Sequence, residues 1–317
     1  MDVIVPQYIT SSRLLSSSVA DSTETTWSVS TTYALDATVK HLDTTGAEAD
    51  IWKFYVSLVA DNVGNNPESS PEKWVNQGAI NRYKMFDPFI MTATTDTKDI
   101  EVVAYVQRLT SLAFLNVQAS EIKLEFWNGT TLADMTSGNL LAEYTITLRQ
   151  AVADWYGYFF DDFDNIRDVS TPLNYTMFYN MVVRMTFKKF IDPSVTDCFV
   201  GQVIAGRNYD IGKSRYGVQT GIEDYSKIVE DETFGSTYLQ QGNYKKTMEV
   251  DLFIENPMLN TVNSILTQLR AVPTIWQANQ SGTEYDNLLI YGFCKKFNII
   301  MQGATHTECS LQIRGMI

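Results

Sequence analysis

Histidine and cysteine, on which much catalytic and metal chemistry depends, are scarce in this sequence. Its 317 residues include two histidines, His41 and His306, and three cysteines, Cys198, Cys294 and Cys309. No serine or cysteine stands in a nucleophile-elbow pattern, no two cysteines have C-x-x-C spacing, and no Walker or dinucleotide-binding glycine pattern occurs. We therefore predict a protein that is not an enzyme, with no catalytic residues, no metal site, no cofactor and buried free thiols.

Basic residues are also outnumbered, with 24 Lys and Arg against 37 Asp and Glu and a formal net charge of −13. A surface of this charge repels a phosphate backbone, so we expect no specific binding of nucleic acid. The same repulsion would let DNA slide past an acidic wall without adhering to it.

Two clusters contain many of these acidic residues. One is FFDDFDN, with Asp161, Asp162 and Asp164, and the other is IEDYSKIVEDE, from Glu223 to Glu232. A glycosidase needs two carboxylates across a cleft, whereas carboxylates clustered on turns stay ionised and face solvent. We predict solvated surfaces for both clusters. A calcium ion at the first is the alternative, although its spacing matches no calcium-binding loop.

Long hydrophobic runs are absent as well. No run approaches the roughly 18 residues that a membrane span needs. The N-terminal MDVIVPQYITSSRLLSSSV lacks the basic start and continuous apolar stretch of a signal peptide. We therefore expect no membrane insertion, and folding in a reducing cytoplasm.

Aromatic residues, by contrast, are abundant, with 6 Trp, 17 Tyr and 16 Phe against only 8 Pro. Aromatic and β-branched side chains pack well on a pleated surface, so the composition predicts a mainly-β fold. Between residues 90 and 205, seven alternating segments such as IEVVAYVQRL, EIKLEFWN and MVVRMTFKKF predict an antiparallel β-sandwich of jelly-roll type.

Changes in the sequence pattern divide the chain into four segments. They are an extended N-terminal arm (residues 1–24), a small aromatic-cored β module (25–80), the β-sandwich (81–205) and a C-terminal α+β domain (206–317). The arm is predicted because Pro6 and the serine-rich SSRLLSSS offer no periodic face to bury. Such an arm is often ordered only by a neighbouring subunit.

The C-terminal domain is predicted to contain a long hairpin, a helix and closing strands. The hairpin spans residues 216–250 around an acidic turn. The helix begins near Pro257 and places five apolar residues on one face: Leu259, Val262, Ile265, Leu266 and Leu269.

Residues 25–80 carry an ordered set of aromatic and turn residues. The set begins with Trp27, a Tyr-x₅-Val strand (Tyr33 and Val39) and a second strand with Tyr55. It continues with a loop that contains Asn62, Gly64 and Pro67, and it ends at Trp74. In this order they resemble the small chitin- and cellulose-binding modules. The resemblance implies that exposed rings stack on the apolar faces of sugars.

Four residues are therefore candidates for carbohydrate binding, namely Trp52, Tyr55, Trp27 and Trp74. The alternative is that Trp27 and Trp74 merely form the small core. Trp52 should face the other way from Tyr55 on a strand, and as an exposed ring it is the best single candidate.

The segments that follow also resemble phage proteins. INRYKMFDPF, residues 80–89, is very similar to a joint that follows such a module in phage virion proteins. The hairpin, helix and closing strands resemble tail-tube and distal tail domains, as do the phrases IGKSRYGVQTGIEDYS, ETFGSTYL and NLLIYGFCKKFNI.

This resemblance covers nearly the whole chain and implies a structural component of a tailed-bacteriophage particle. It implies a ring of six copies in the tail or neck, contacts with other tail or neck proteins, and a location in the virion after folding in the host cytoplasm. The alternative is a carbohydrate-binding adhesin, or host receptor-binding protein, that recognises host surface glycans.

Overall fold

The structure, a computed structural model, describes residues 1–45, 50–148, 155–156, 166–172, 179–190, 195–231, 236–278, 288–301, 303 and 305–316. Strands dominate these residues and pair in antiparallel sheets, which confirms the mainly-β prediction. No helix in these ranges is long and apolar enough to span a bilayer.

In chain order the strands are β1 (Asp2–Gln7), β2 (Leu14–Ser17), β3 (Thr38–Leu42), β4 (Trp52–Ser57), β5 (Trp74–Ala79), β6 (Thr94–Asp96), β7 (Ile100–Gln107), β8 (Ser111–Gln118), β9 (Glu121–Asn128), β10 (Leu140–Thr147), β11 (Val169–Pro172), β12 (Asn180–Lys188), β13 (Cys198–Asp210), β14 (Lys213–Ser214), β15 (Gln219–Asp224), β16 (Lys227–Asp231), β17 (Ser236–Gln240), β18 (Tyr244–Glu255), β19 (Thr274–Gln277), β20 (Leu289–Met301) and β21 (His306–Gly315). Helix α1 spans Leu259–Gln268, and short 3₁₀ helices cover Asn81–Phe86, Leu132–Asp134, Ser137–Asn139 and Asn256–Met258.

Eleven strands form one large, curled sheet. Its order is β11-β8-β13-β1-β19-β20-β21-β18-β14, with β6 also on β13 and β15 also on β18. The second sheet has the order β10-β9-β12-β7-β2. Apolar side chains of the two sheets share one buried cluster, which includes Phe114 and Val203 from the large sheet and Phe126 and Phe187 from the second. This is the core of the sandwich.

Helix α1 packs on the C-terminal half of the large sheet. Val262, Ile265, Leu266 and the following Leu269 are buried against strands β18 to β21 in a second cluster, as the apolar periodicity predicted, whereas Leu259 is only half-buried. Each such side chain contributes about 1.5–3 kcal/mol when fully buried.

The N-terminal segment is not the free arm that we predicted from the sequence. Strand β1 lies inside the large sheet, between β13 and β19, and Val3 pairs with both Tyr209 and Trp276. Strand β2 pairs with β7 at the edge of the second sheet. The local pattern failed because the partners of β1 lie some 200 to 270 residues away, where no local periodicity can indicate them.

Two predicted boundaries also lie inside continuous structure. The boundary at residues 205 and 206 falls within β13, so the sandwich and the C-terminal segment share the large sheet. Residues 25–80 form a three-stranded sheet, β3-β4-β5, with a cluster of its own. Nevertheless Ile51, Ala79 and Ile80 belong to the sandwich core, so this module is packed against the main body rather than separate from it.

Candidate functional site

The four predicted carbohydrate-binding residues divide between the two faces of the module's sheet. Tyr55 and Trp74 are almost fully buried in the module's core with Tyr33 and Val39. The Trp74 ring meets Tyr33 edge-on, with 5.3 Å between ring centroids, and its Nε1 donates to the Asn65 carbonyl at 3.0 Å. Neither ring is a platform on which a sugar can stack.

Trp27 is half-buried beside this core. Its ring packs edge-on against His41, with 5.6 Å between centroids, and its amide donates to the Lys40 carbonyl at 2.9 Å. Part of the Trp27 ring therefore faces solvent.

Trp52 lies on the opposite face of β4 from Tyr55, but it is not the exposed ring that we expected. The side chains of Trp52 and Phe54 pack against the sandwich core. The Lys40 ammonium lies 5.7 Å from the centroid of the Trp52 ring. On β4, the face opposite to the module's core therefore packs mainly against the sandwich.

Sequence reasoning missed a buried ionic cluster inside the module. Asp43 and Lys53 are only 4% and 7% exposed, and the Lys53 ammonium lies 3.0 Å from the Asp43 carboxylate. The Tyr55 hydroxyl donates to the same carboxylate at 2.9 Å, and His41 Nδ1 lies 3.3 Å from it. The spacing of Lys53 and Tyr55, two residues apart on β4, is the signal that places a lysine on the buried face.

These partners keep Asp43 ionised. Burial alone would raise the pKa of the Asp43 carboxyl, but the hydrogen bonds from His41, Lys53 and Tyr55 hold that pKa below its usual value. The cluster is therefore an ion pair completed by hydrogen bonds, which fixes the turn after β3 to strand β4.

One group of side chains has the composition of a metal site. Ligand atoms of His41, Asp43 and Glu68 lie within 4.8 Å of one another. Asp43, however, binds Lys53, and the Glu68 carboxylate accepts hydrogen bonds from the amides of Thr44 and Thr45 at 3.0 and 2.6 Å. Protein donors thus occupy both carboxylates, and the group holds two turns together.

Asp50 fastens the module to the N-terminal segment. Its carboxylate accepts hydrogen bonds from the hydroxyls of Ser11 and Ser12 and from the Ser12 amide at 3.1 Å, and the Ser11 amide donates to its carbonyl at 2.7 Å. Burial opposes ionisation, but these hydrogen bonds outweigh it and lower the pKa of Asp50 to about 2.

Because the folded-state pKa of Asp50 is depressed, its contribution to stability is complete above the ordinary value of 3.8 and is lost as the pH falls towards about 2. We expect a carboxyl-carbon NMR titration of Asp50 to have its midpoint near pH 2. The double variant Ser11→Ala, Ser12→Ala should move this midpoint towards 3.8, whereas Ser30→Ala, in an exposed turn, should not. An unchanged midpoint in the double variant would contradict this assignment.

Two of the three thiols are held in their protonated form by burial. Burial raises the pKa of Cys198 to about 12 and that of Cys309 to about 11, so both remain protonated at neutral pH. Both are buried free cysteines, as predicted, whereas Cys294 is only partly buried.

A hairpin of β16 and β17, which form a two-stranded sheet apart from the others, exposes four apolar side chains. Ile228 faces Leu239 across the strands, and Val229 faces Tyr238. Because neighbouring residues of a strand point to opposite faces, each face of the hairpin carries one of these pairs. Their exposures are 66%, 77%, 51% and 64%, respectively.

The hairpin is joined to the main sheet through a bulge. Asp224 pairs with Tyr244 and Lys227 with Gln240, so two residues on one strand face three on the other. A bulge of this kind bends and twists a strand pair. At this bulge the backbone of Gly242 lies very close to the backbone of Tyr225. A Cβ at Gly242 would lie 2.5 Å from the Tyr225 carbonyl oxygen.

Below this joint the hairpin is anchored firmly. The Arg314 guanidinium donates to both oxygens of the Glu223 carboxylate, at 3.0 and 2.8 Å, and to the Tyr225 hydroxyl at 2.7 Å. Glu223 is therefore paired, whereas Glu230 beyond the joint is exposed. The acidic cluster of Asp161, Asp162 and Asp164 lies outside the described residues, as does Glu232.

Comparison with known proteins adds no identification. No protein-family model matches the chain, and no curated protein matches it significantly.

Proposed function

We propose that this chain is a non-enzymatic structural component of a tailed-phage particle, which assembles as a closed ring of six copies in the tail or neck. The observation that carries the proposal is the β16–β17 hairpin, whose two faces each present an exposed apolar pair. Large exposed apolar patches mark interaction sites in soluble proteins.

The physics of an isolated hairpin supports an intermolecular role. A two-stranded hairpin is at best marginally stable in water, and it needs a further surface to cover its apolar side chains. Among the described strands, β15, which leads into the hairpin, pairs with β18 alone and so lies at an edge of the large sheet. Exposed edges invite pairing with another chain, and cyclic closure satisfies every such surface with a finite number of copies.

The charge of the large sheet suits a channel through which DNA passes. On the face opposite to α1, strand β18 presents Glu249, Asp251 and Glu255, whereas Glu308 of β21 is paired with Arg215. If this face lines the lumen, its carboxylates repel the phosphate backbone and the helix lies on the outside.

The test compares the wild type with the double variant Ile228→Asp, Leu239→Asp. We expect mass photometry over a concentration series to show rings for the wild type and monomers for the variant, because the charges prevent burial of one hairpin face. The matched control is Leu132→Asp, Leu140→Asp, which changes exposed leucines near the ends of β9 and β10 and should assemble normally.

A wild type that stays monomeric up to its solubility limit would overturn the ring proposal. Assembly by the hairpin variant would remove the hairpin from the interface. A particle reconstruction with a symmetry that is not a multiple of three would contradict the six-fold ring.

The alternative, a carbohydrate-binding adhesin, rests on the partly exposed rings of Trp27 and Trp52. Stacking on an aromatic ring contributes about 1–3 kcal/mol, which corresponds to roughly 5- to 150-fold in Kd. If the module binds a glycan, we expect Trp27→Ala and Trp52→Ala to lose this much affinity on a glycan array and Val29→Ala to lose none. Binding that survives both tryptophan substitutions would exclude stacking on these rings.

A further inference from the structure

The apolar pairs on the hairpin need cover on both faces. Ile228 and Leu239 lie on one face, and Val229 and Tyr238 lie on the other. A flat surface can cover only one of these faces. The chemistry of the hairpin therefore demands a cleft with two apolar walls.

The chain itself has a cleft with a volume of about 570 Å³, which is lined by apolar side chains from two parts of the chain. One set of lining residues belongs to the sandwich segment, namely Ile90, Met91, Leu115 and Phe199. The other belongs to the hairpin root and the C-terminal strands, with Tyr244 and Leu289. A volume of this size is typical of sites that enclose a small apolar insert.

The charges of cleft and hairpin are complementary. The cleft carries the exposed guanidinium of Arg167 and the ammonium of Lys246, which lies 3.4 Å from the Asp168 carboxylate. The far end of strand β16 carries two acidic residues, Glu230 and Asp231. Opposite charges at the rim of an interface fix register and speed association.

A hairpin cannot readily enter the cleft of its own chain. Residues 241–244, which lead out of the hairpin, line the cleft, and the strand pair farthest from them, Asp231↔Ser236, lies four residue pairs beyond Lys227↔Gln240. To reach its own cleft, the two-stranded sheet would have to fold back on its root. A neighbouring copy meets no such restriction.

We propose that the hairpin of each copy inserts into the cleft of the next copy, with its apolar pairs against the apolar lining and Glu230 beside Arg167. This inference rests on the proposed ring and specifies its contact. Because the hairpin and the cleft are different surfaces of one chain, the contact is heterologous, as a closed ring requires.

Crosslinking tests the contact directly. We expect a mixture of Leu239→Cys and Met91→Cys proteins, treated with a short bis-maleimide, to give a linked dimer whose 239–91 peptide is identified by mass spectrometry. Pairing Leu239→Cys with Leu132→Cys, an exposed position that does not line the cleft, should give none above the wild-type background.

Charge exchange provides a second readout. Arg167→Glu and Glu230→Lys should each raise the concentration for half-assembly by about tenfold, and the double variant should restore it. Rings that form without the 239–91 link and without this rescue would overturn the cleft contact and leave the ring proposal standing. A wild type that forms no ring would overturn both.

Discussion

Val3→Asp is expected to unfold the large sheet. Val3 is fully buried in the cluster beneath α1, and its strand pairs on both sides. An ionised carboxylate without a partner at this position costs several kcal/mol, a large part of the 5–15 kcal/mol that stabilises a typical domain. Urea unfolding followed by near-ultraviolet circular dichroism should show a midpoint far below that of the wild type, or no native baseline.

The matched control is Val29→Asp, the same substitution at an exposed valine of the module, which should leave the midpoint almost unchanged. The comparison separates two descriptions of residues 1–24. If they formed an arm outside the body, as their local sequence indicates, both variants would behave like the wild type. A stable Val3→Asp protein would therefore contradict the placement of β1.

Asp43→Ala should produce the second large effect, confined to the module. The substitution removes the Asp43 carboxylate that lies 3.0 Å from the buried Lys53 ammonium and accepts the hydrogen bond from the Tyr55 hydroxyl. Breaking a buried ion pair in this way costs about 3–5 kcal/mol, more than a unit of some fifty residues can readily lose. Hydrogen exchange measured by mass spectrometry should show fast exchange across β3 to β5 and protection elsewhere.

Two variants sharpen this test. Glu72→Ala removes an exposed carboxylate from the same module and should leave exchange unchanged. Asp43→Leu with Lys53→Met replaces the pair by apolar side chains of similar size, which often restores stability, and should recover most of the protection. Unaltered exchange in Asp43→Ala would show that the ion pair contributes little.

The sequence allowed correct prediction where structure depends on local spacing. The apolar face of α1 could be predicted because its residues recur at helical intervals, and the mainly-β fold because strand-forming residues alternate over short distances. Trp74 and Tyr55 were placed in one module by their order along the chain. Whether their rings were buried or exposed could not be predicted, because a core position and a binding position use the same residue types.

The errors arose where distant segments meet. Pro6 argued against a strand, yet it is part of β1 and pairs with Gly206 of β13. The residues of β1 that also pair with β19 are Asp2 and Val3, so Pro6 has a strand partner on one side. Its missing amide therefore disrupts no doubly paired position. Trp52 was wrongly expected to be exposed. The side chains that cover it belong to the sandwich, and the module's own sequence gives no sign of them.

The central position of β1 also determines when the chain can complete its fold. The Thr274 hydroxyl donates to the Ile4 carbonyl across 270 positions of the chain, and in the order of the large sheet β1 lies between β13 and β19 and joins the strands on its two sides. Such non-local pairing predicts slow folding and a period in which strand edges are open to other chains. Both partners of β1 follow it in the chain, so during synthesis β1 has no complete partner set until β19 has left the ribosome, and its pairing is among the last steps of folding.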